Sequence, residues 1–432
     1  MRESLMVKIY RCCAALFFYG ALPLLLAGVL FINRYRRGLK ERFAFYPQAE
    51  QIKNSGERIW IHAASVGEVQ AAERIIGEVK KQRPQSCIIL TTMTLSGRRI
   101  ARDRLAVSAV FLAPLDIPWI TERAIKRIQP DVYICMETEL WPVLFDSLKK
   151  SGVRLCLANG RISSRAFSRY EKMAPLLSSV VAGFDRMTVI SSLDKKRYVA
   201  LGADKERITV AGNVKYDLRL PHDAADISRK YRDMLDVVDE DVLVAGSTHS
   251  GEEALLLDLH CRLQSQAPLL SIIAPRHVER IGDVERLARS AGLDYLLFSA
   301  IKRGGRRKGQ KVVLVDTMGE LARLYGLADF VFCGGSLVEK GGHNLMEAAV
   351  WDKAVFYGPH IGDFHDAADI LREAGGGFVV DNMENLEQYI HRFRLHPPEY
   401  MEACRQAGEA ARKQQGSGRQ QVAFLLDDEC HR

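Results

Sequence analysis

The sequence predicts an α/β protein built from two doubly wound parallel-sheet domains. Three observations lead there: the length of the chain, a repeated alternation of short apolar runs with amphipathic stretches, and a polar interruption between two such series. At 432 residues the chain exceeds what one hydrophobic core usually supports. Its hydrophobic and charged fractions, 47% and 26%, are those of an ordinary globular enzyme.

In the first series Ile59–His62 precedes an amphipathic stretch at Glu68–Lys81, Cys87–Leu90 precedes Ser96–Leu105, and Val132–Met136 precedes Leu140–Lys150. This is the rhythm of βαβ units, and it continues at Val153–Leu157 and Met187–Ile190. The polar stretch Tyr216–Asp241, with Pro221, reads as a linker. A second series runs through Val242–Ala245, Leu270–Ala274, Val312–Val315, Phe330–Cys333 and Ala354–Tyr357. The expected organisation is an anchor with a basic flank over 1–43, a first domain over 44–215, a linker over 216–240, a second domain over 241–396, and a helix and tail over 397–432. Two such halves would leave a ligand cleft between the carboxyl ends of two sheets. Pro398–Gln421 reads as helix. The loop Lys302–Lys311, with Arg303, Arg306, Arg307 and Lys308, reads as a solvated loop first and a membrane-contact patch second.

The first forty residues stand apart. Cys12–Ile32 carries no charge, and as a helix it would span about 31 Å, enough to cross the hydrocarbon core as a transmembrane helix. Arg34, Arg36, Arg37, Lys40 and Arg42 follow and outnumber Arg2, Lys8 and Arg11 before it, which places the body of the chain on the cytoplasmic side. A cleaved signal peptide and a buried core helix are the rival readings. The length of the run, the lack of a small-x-small site and the flanking charges weigh against both. Nine cysteines, several inside apolar runs and none in CxxC spacing, read as reduced core residues. A net charge of +8 suits attraction to an anionic membrane surface, and no nucleic-acid-binding signature accompanies it.

Chemistry-bearing residues gather where apolar runs end. His62-Ala63-Ala64-Ser65-Val66-Gly67-Glu68 follows a strand and opens a helix, so Glu68 stands at the mouth of the expected cleft; alternatively it only caps that helix. Met136-Glu137-Thr138-Glu139-Leu140-Trp141-Pro142 sets two more acids at a strand end, with Thr138 as a plain helix cap in the bland reading. Gly212-Asn213-Val214-Lys215-Tyr216-Asp217 brings a lysine to the hinge, or is a simple turn. In the second half, Ala245-Gly246-Ser247-Thr248-His249 and Ala274-Pro275-Arg276-His277 end strands with groups able to hold phosphate or a sugar acid. Asp316-Thr317-Met318-Gly319-Glu320-Leu321 opens a helix. The glycine-rich run Gly334–Glu347 offers backbone N–H groups to a phosphate, with Glu347 placed for ribose hydroxyls. The second half therefore reads as a nucleotide-binding domain. It lacks GxxxxGK[ST] and GxGxxG, which disfavours NTP hydrolysis and NAD.

The ordered set of these motifs, with Thr91-Thr92-Met93-Thr94, Asn159-Gly160-Arg161-Ile162-Ser163 and Gly341-Gly342-His343-Asn344-Leu345-Met346-Glu347, closely resembles the 3-deoxy-D-manno-octulosonic acid (Kdo) transferases over nearly the whole chain. The resemblance implies a GT-B fold, two Rossmann-like domains facing a cleft. It also implies an inverting, metal-independent transferase with no cofactor, taking Kdo from CMP-Kdo to the lipid A precursor lipid IVA in lipopolysaccharide synthesis. Its expected place is the inner membrane, as a single-pass protein with its catalytic domains in the cytoplasm and membrane lipids as partners. By the resemblance Glu68 matches the general base, and Glu137 and Lys215 match transition-state stabilisers. Pro275, Arg276, Met318, Gly319, Glu320, Asn344, Leu345, Met346 and Glu347 match the CMP contacts. Two rivals remain: a sugar-nucleotide epimerase of the same architecture, which has no use for a membrane anchor, and a membrane-tethered nucleotide sensor, which leaves Glu68, Glu137 and Lys215 unexplained. CMP release that depends on a lipid acceptor separates the three.

Overall fold

A computed structural model describes residues 38–46, 56–362 and 364–427. Its strands form two seven-stranded sheets, and every strand pair is parallel. The chain divides into two units: the first takes the chain up to Asp217 and again from Gly416, and the second is Leu218–Gln415.

In unit 1 the strands are β1 Arg58–His62, β2 Cys87–Thr92, β3 Ala109–Leu112, β4 Val132–Met136, β5 Arg154–Gly160, β6 Arg186–Val189 and β7 Ile208–Val210. They lie in the order β3-β2-β1-β4-β5-β6-β7. Alternate side chains feed two cores, one on each face: Trp60, Ile89 and Tyr133 on one, Ile59, Ile61, Ile88 and Ile134 on the other. Helices cover both faces, several of them started by side-chain caps such as Ser65, Thr94 and Ser191. Residues 38–46 also belong to this body. Tyr46 is buried against Phe111 with ring centroids 4.5 Å apart, and Arg42 donates to the Met93 carbonyl at 2.7 Å.

Unit 2 contains β8 Asp241–Thr248, β9 Leu269–Pro275, β10 Tyr295–Leu297, β11 Val312–Leu314, β12 Phe330–Cys333, β13 Val355–Tyr357 and β14 Gly377–Val379, in the order β10-β11-β9-β8-β12-β13-β14. In each sheet the winding reverses once, between β1 and β4 and between β8 and β12. Ligands of such sheets bind at the carboxyl ends of strands flanking that reversal.

The structure departs from the sequence reading in several places. The four edge strands, β3, β7, β10 and β14, were not predicted. The polar stretch expected as linker contains a helix, Ala224–Met234, that buries Tyr231. The expected C-terminal helix is two helices, Pro397–Arg412 and Ser417–Leu425, broken where Gly416 adopts φ 84°. The second of these returns to unit 1 and adds Val422 and Leu425 to its core. In the basic loop Arg307 is buried rather than solvated, paired with Glu240 and donating to the carbonyls of Leu235, Asp236 and Gln310. Among the described residues no helix is long and apolar enough to cross a membrane. The Cys12–Ile32 segment, with Arg34, Arg36 and Arg37 after it, lies outside the described residues.

The returning helix is locked by one buried side chain. The Gln421 carbonyl oxygen accepts from the Asn159 N–H at 2.8 Å and the Thr188 hydroxyl at 3.0 Å, while its amide donates to the Gly212 carbonyl at 2.8 Å. Gln421→Leu keeps the bulk but strands these buried partners. We expect it to lower the stability of unit 1 by about 2–4 kcal/mol in a urea titration, and a loss under about 1 kcal/mol would show the amide to be dispensable.

Candidate active site

At the reversal point of unit 1, β1 ends at His62 and a three-residue turn leads into the helix Val66–Gln82. Ser65 caps that helix by accepting the Glu68 N–H at 3.3 Å. The Glu68 carboxylate turns back, accepting the Ala64 N–H at 2.9 Å and the Ser65 hydroxyl at 3.0 Å. This is a capping arrangement, yet an ordinary cap would favour the charged carboxylate. Here burial pushes the Glu68 pKa up to about 7; the Ala64 and Ser65 donors offset it only in part, and the charges of Glu137 and Glu139 add to it.

One strand over, Glu137 follows β4 directly, in a left-handed conformation with φ 56°. Its N–H donates to the Ala158 carbonyl at 2.9 Å, and its own carbonyl accepts the Tyr198 hydroxyl at 3.0 Å. These contacts hold a backbone geometry uncommon for a non-glycine residue. The Glu137 carboxylate meets the Lys215 ammonium at 2.5 Å, with the Arg161 Nε at 4.0 Å on its other oxygen. Lys215 sits in a single 3-10 turn, Val214–Tyr216, capped by Asn213 and tethered by the Val214 N–H to the Asn159 side chain at 3.0 Å. Glu68, Glu137 and Lys215 thus share one sheet edge, brought there from three separate stretches of chain. Tyr198 and Arg161 complete the support. Arg161 stands in the Asn159–Ser163 motif, whose local pattern gives it no role, and nothing in the local sequence marks Tyr198.

At the reversal point of unit 2, β8 leads through His249 into the helix Glu252–Gln264. The fully buried Glu252 carboxylate accepts four backbone N–H groups: His249 at 2.9 Å, Gly335 at 2.7 Å, and Ser336 and Leu337 at 3.1 Å each. Three of the glycine-rich N–H groups expected to receive a phosphate are therefore occupied by this internal acid. The helix behind that run is short, Met346–Ala349. The sequence does not mark Glu252, because an acid in a first helical turn is commonplace.

Above this turn the His249 and His343 rings stack with centroids 5.3 Å apart and their Nε2 atoms 3.0 Å apart, while His277 meets His249 edge-on. Gly335, at φ 68°, lies beneath them; a Cβ there would come within 3.1 Å of both rings. Burial pushes the His343 pKa down to about 4, and burial also lowers that of His249, so the pair is neutral and shares one N–H. Arg276, just past β9, is exposed, and its positive charge reaches both His343 and Glu347. Its N–H donates to the Thr248 carbonyl at 3.0 Å. Asn344 accepts the Met346 N–H at 3.1 Å. Arg276, Asn344 and Glu347 are thus grouped with the histidines.

The other expected donor contacts fall differently. Pro275, Leu345 and Met346 are buried, and the Met346 N–H is taken by Asn344. Met318 is 73% exposed and Gly319 takes φ 83°. Glu320 is buried and already engaged, by the Tyr231 hydroxyl at 2.5 Å and the Lys302 ammonium at 2.5 Å. Burial alone would raise its pKa, but those two donors hold it below the usual range. It borders a cavity of about 460 Å³ between the helix Ala224–Met234 and Phe298. Among the described residues no hydrogen bond or ion pair joins Glu320 to the histidine group. Among the described residues no cluster of three or more His, Cys, Asp or Glu is arranged to hold a metal ion.

These folds have known counterparts. A glycosyltransferase from Rickettsia africae aligns over 87% of this chain and all of its own, with TM-score 0.56 and 14% identity. A UDP-GlcNAc 2-epimerase from Neisseria meningitidis aligns over 85% of this chain and 99% of its own, with TM-score 0.57 and 11% identity. The fold is therefore of the GT-B type, a class that transferases and epimerases share. Sequence narrows it. Residues 37–218 match the family model described as 3-Deoxy-D-manno-octulosonic-acid transferase (kdotransferase). A 3-deoxy-D-manno-octulosonic acid transferase of Haemophilus influenzae is 33% identical over 405 residues, 91% of this chain and 93% of that one. The chain belongs to the Kdo transferase family.

The unusual protonation of Glu68 has a measurable consequence. Its carboxyl holds a proton more tightly when folded, so folding is increasingly opposed as pH rises from about 4.5, where the unfolded group ionises, to about 7, where the folded one does. The full penalty, on the order of 3 kcal/mol at most, stands above that window and is absent below it. Glu68→Gln cannot ionise, so its stability relative to the unmodified protein should climb by about 1–3 kcal/mol between pH 4.5 and pH 8. A difference that stays flat across that range would mean Glu68 titrates as an ordinary cap.

Proposed function

We propose that this Kdo transferase takes its sugar from CMP-Kdo and delivers it to lipid IVA at a membrane surface, with Glu68 as general base. The carrying observation is the Glu68 carboxyl, with its pKa near 7, on the same sheet edge as the Glu137–Lys215 pair. A base with that pKa is about half ionised at neutral pH and can accept a proton in the transition state. In the reaction the acceptor hydroxyl loses its proton to Glu68 as its oxygen bonds to the anomeric carbon of Kdo. The bond from that carbon to the CMP phosphate breaks from the opposite face, and the phosphate leaves with the electron pair, inverting the centre.

The remaining groups have work suited to that step. Lys215, held against Glu137, supplies a fixed positive charge for the negative charge developing near the acceptor and the leaving group. Glu137 keeps the ammonium oriented. In unit 2, Arg276 has no hydrogen-bond acceptor on its guanidinium among the described residues, which suits it to the donor phosphate. Glu347 beside it is placed for ribose hydroxyls. Because Glu252 occupies the glycine-rich N–H groups, the phosphate charge falls on Arg276 and the Met318–Gly319 backbone in this reading. The basic residues that follow Cys12–Ile32 would keep the enzyme where a phosphorylated lipid acceptor resides.

Glu68→Gln should lower the initial rate of Kdo transfer to lipid IVA by roughly a hundredfold or more while CMP binding and thermal melting persist. The unmodified enzyme should show kcat/KM rising with pH to a plateau, with a midpoint near 7. A variant transferring at close to the normal rate would move the base assignment to another acid of that edge. Separately, Arg276→Ala should weaken CMP-Kdo binding by about 1.5–3 kcal/mol in calorimetry and leave lipid binding unchanged; equal donor affinity would remove Arg276 from the site.

A further inference from the structure

A second cavity, of about 640 Å³, opens at the amino ends of β8 and β12, where Asp241 and Phe330 begin those strands. This is the sheet edge opposite the one that carries His249 and the glycine-rich turn. Its volume lies in the range of small-molecule sites. One wall is aromatic: the Tyr400 ring lies 5.0 Å from that of Phe330 and 4.9 Å from that of Phe393, centroid to centroid. Met401, 71% exposed, also lines it.

Charge in this cavity is unevenly matched. Its three acids each have a cation: Asp241 pairs with Arg394 at 2.8 Å, Asp329 with Arg232 at 3.2 Å, and Asp352 with Arg412 at 2.7 Å. Arg405 pairs with Glu402 and Glu409 on its own helix. Among the described residues Lys353 has no carboxylate within ion-pair distance, although Asp329 and Asp352 attract it from farther off. Burial disfavours its charged form, and an anion bound beside it would favour that form. The Arg394 Nη1 and Nη2 atoms, in the same cavity lining, are buried without acceptors among the described residues. Such a place has one positive charge to spare and an apolar surface to cover.

We propose that this cavity binds a small organic acid, with its single anionic group on Lys353 and its apolar body against Phe330, Phe393 and Tyr400. A carboxylate there would add an anionic contact for an ammonium that lacks a close one, and the exposed Met401 and the rim of Tyr400 would shed exposed area. The same chemistry describes a free fatty acid from a membrane and a soluble aromatic acid, so the test uses one of each.

Calorimetric titration of the full chain with decanoate and with 1-naphthoate should show one saturable site for at least one of them. The acid that binds more tightly names the source. The neutral 1-naphthamide or decanamide should bind at least tenfold more weakly than its acid. Lys353→Met should weaken the acid at least tenfold, and Met401→Glu, at an exposed position that leaves the fold intact, at least fivefold by repulsion. Saturating CMP should leave the affinity unchanged. Absence of binding by both acids, equal affinity in the two variants, or displacement by CMP would each overturn the proposal.

Discussion

The buried amide of Gln421 holds together the part of unit 1 on which the proposed chemistry stands. Through Asn159 it reaches β5, through Thr188 it reaches β6, and through the Gly212 carbonyl it grips the loop that delivers Lys215. Asn159 in turn bonds the Val214 N–H, and Asn213 caps the turn at Lys215. The Lys215–Glu137 contact is the last link of this run of contacts. In a low-dielectric interior, polar groups that satisfy one another become rigid, and each depends on the next. A glutamine near the end of the chain thereby fixes the position of an ammonium about two hundred residues earlier in sequence.

Two acids at the same sheet edge are given different characters by what surrounds them. Glu137 has the Lys215 ammonium in contact, which makes it a tether. Glu68 has only an N–H and a hydroxyl against its burial, so its charge is held back until near neutral pH. Separating the behaviour of neighbouring carboxyls in this way is how one site obtains both a fixed charge and a group that exchanges protons. Unit 2 makes a similar division with cations. His249 and His343 are kept neutral and lean on each other, while Arg276 stays exposed to solvent.

What could be read from the sequence follows from burial. The ten interior strands are apolar runs flanked by amphipathic helices, and each was visible as such. The four edge strands contact a single neighbour, need fewer apolar residues, and are only three or four residues long, so Ile208–Val210 or Gly377–Val379 resembles loop. The same holds for the site. Glu68, Glu137, Lys215 and Arg276 stand at strand ends or hinges, where local pattern points. Glu252, Tyr198 and Gln421 act through partners tens to hundreds of residues away, and no local spacing records those. Tyr231 and Lys302 on Glu320 are hidden for that reason too, since they join the supposed linker and the basic loop to a motif in another stretch.

Unit 1 takes the chain up to Asp217 and is completed by the helix Ser417–Leu425, with all of unit 2 between. At ribosomal speeds of about 5–20 residues per second, the roughly 200 residues of unit 2 take on the order of 10–40 s to emerge. During that interval the faces of β5 and β6 that Val422, Leu425 and Gln421 will cover stand open, and the Lys215 loop lacks its anchor. Until the helix Ser417–Leu425 has been made, the nascent first unit carries an uncovered sheet face while unit 2 can already be whole.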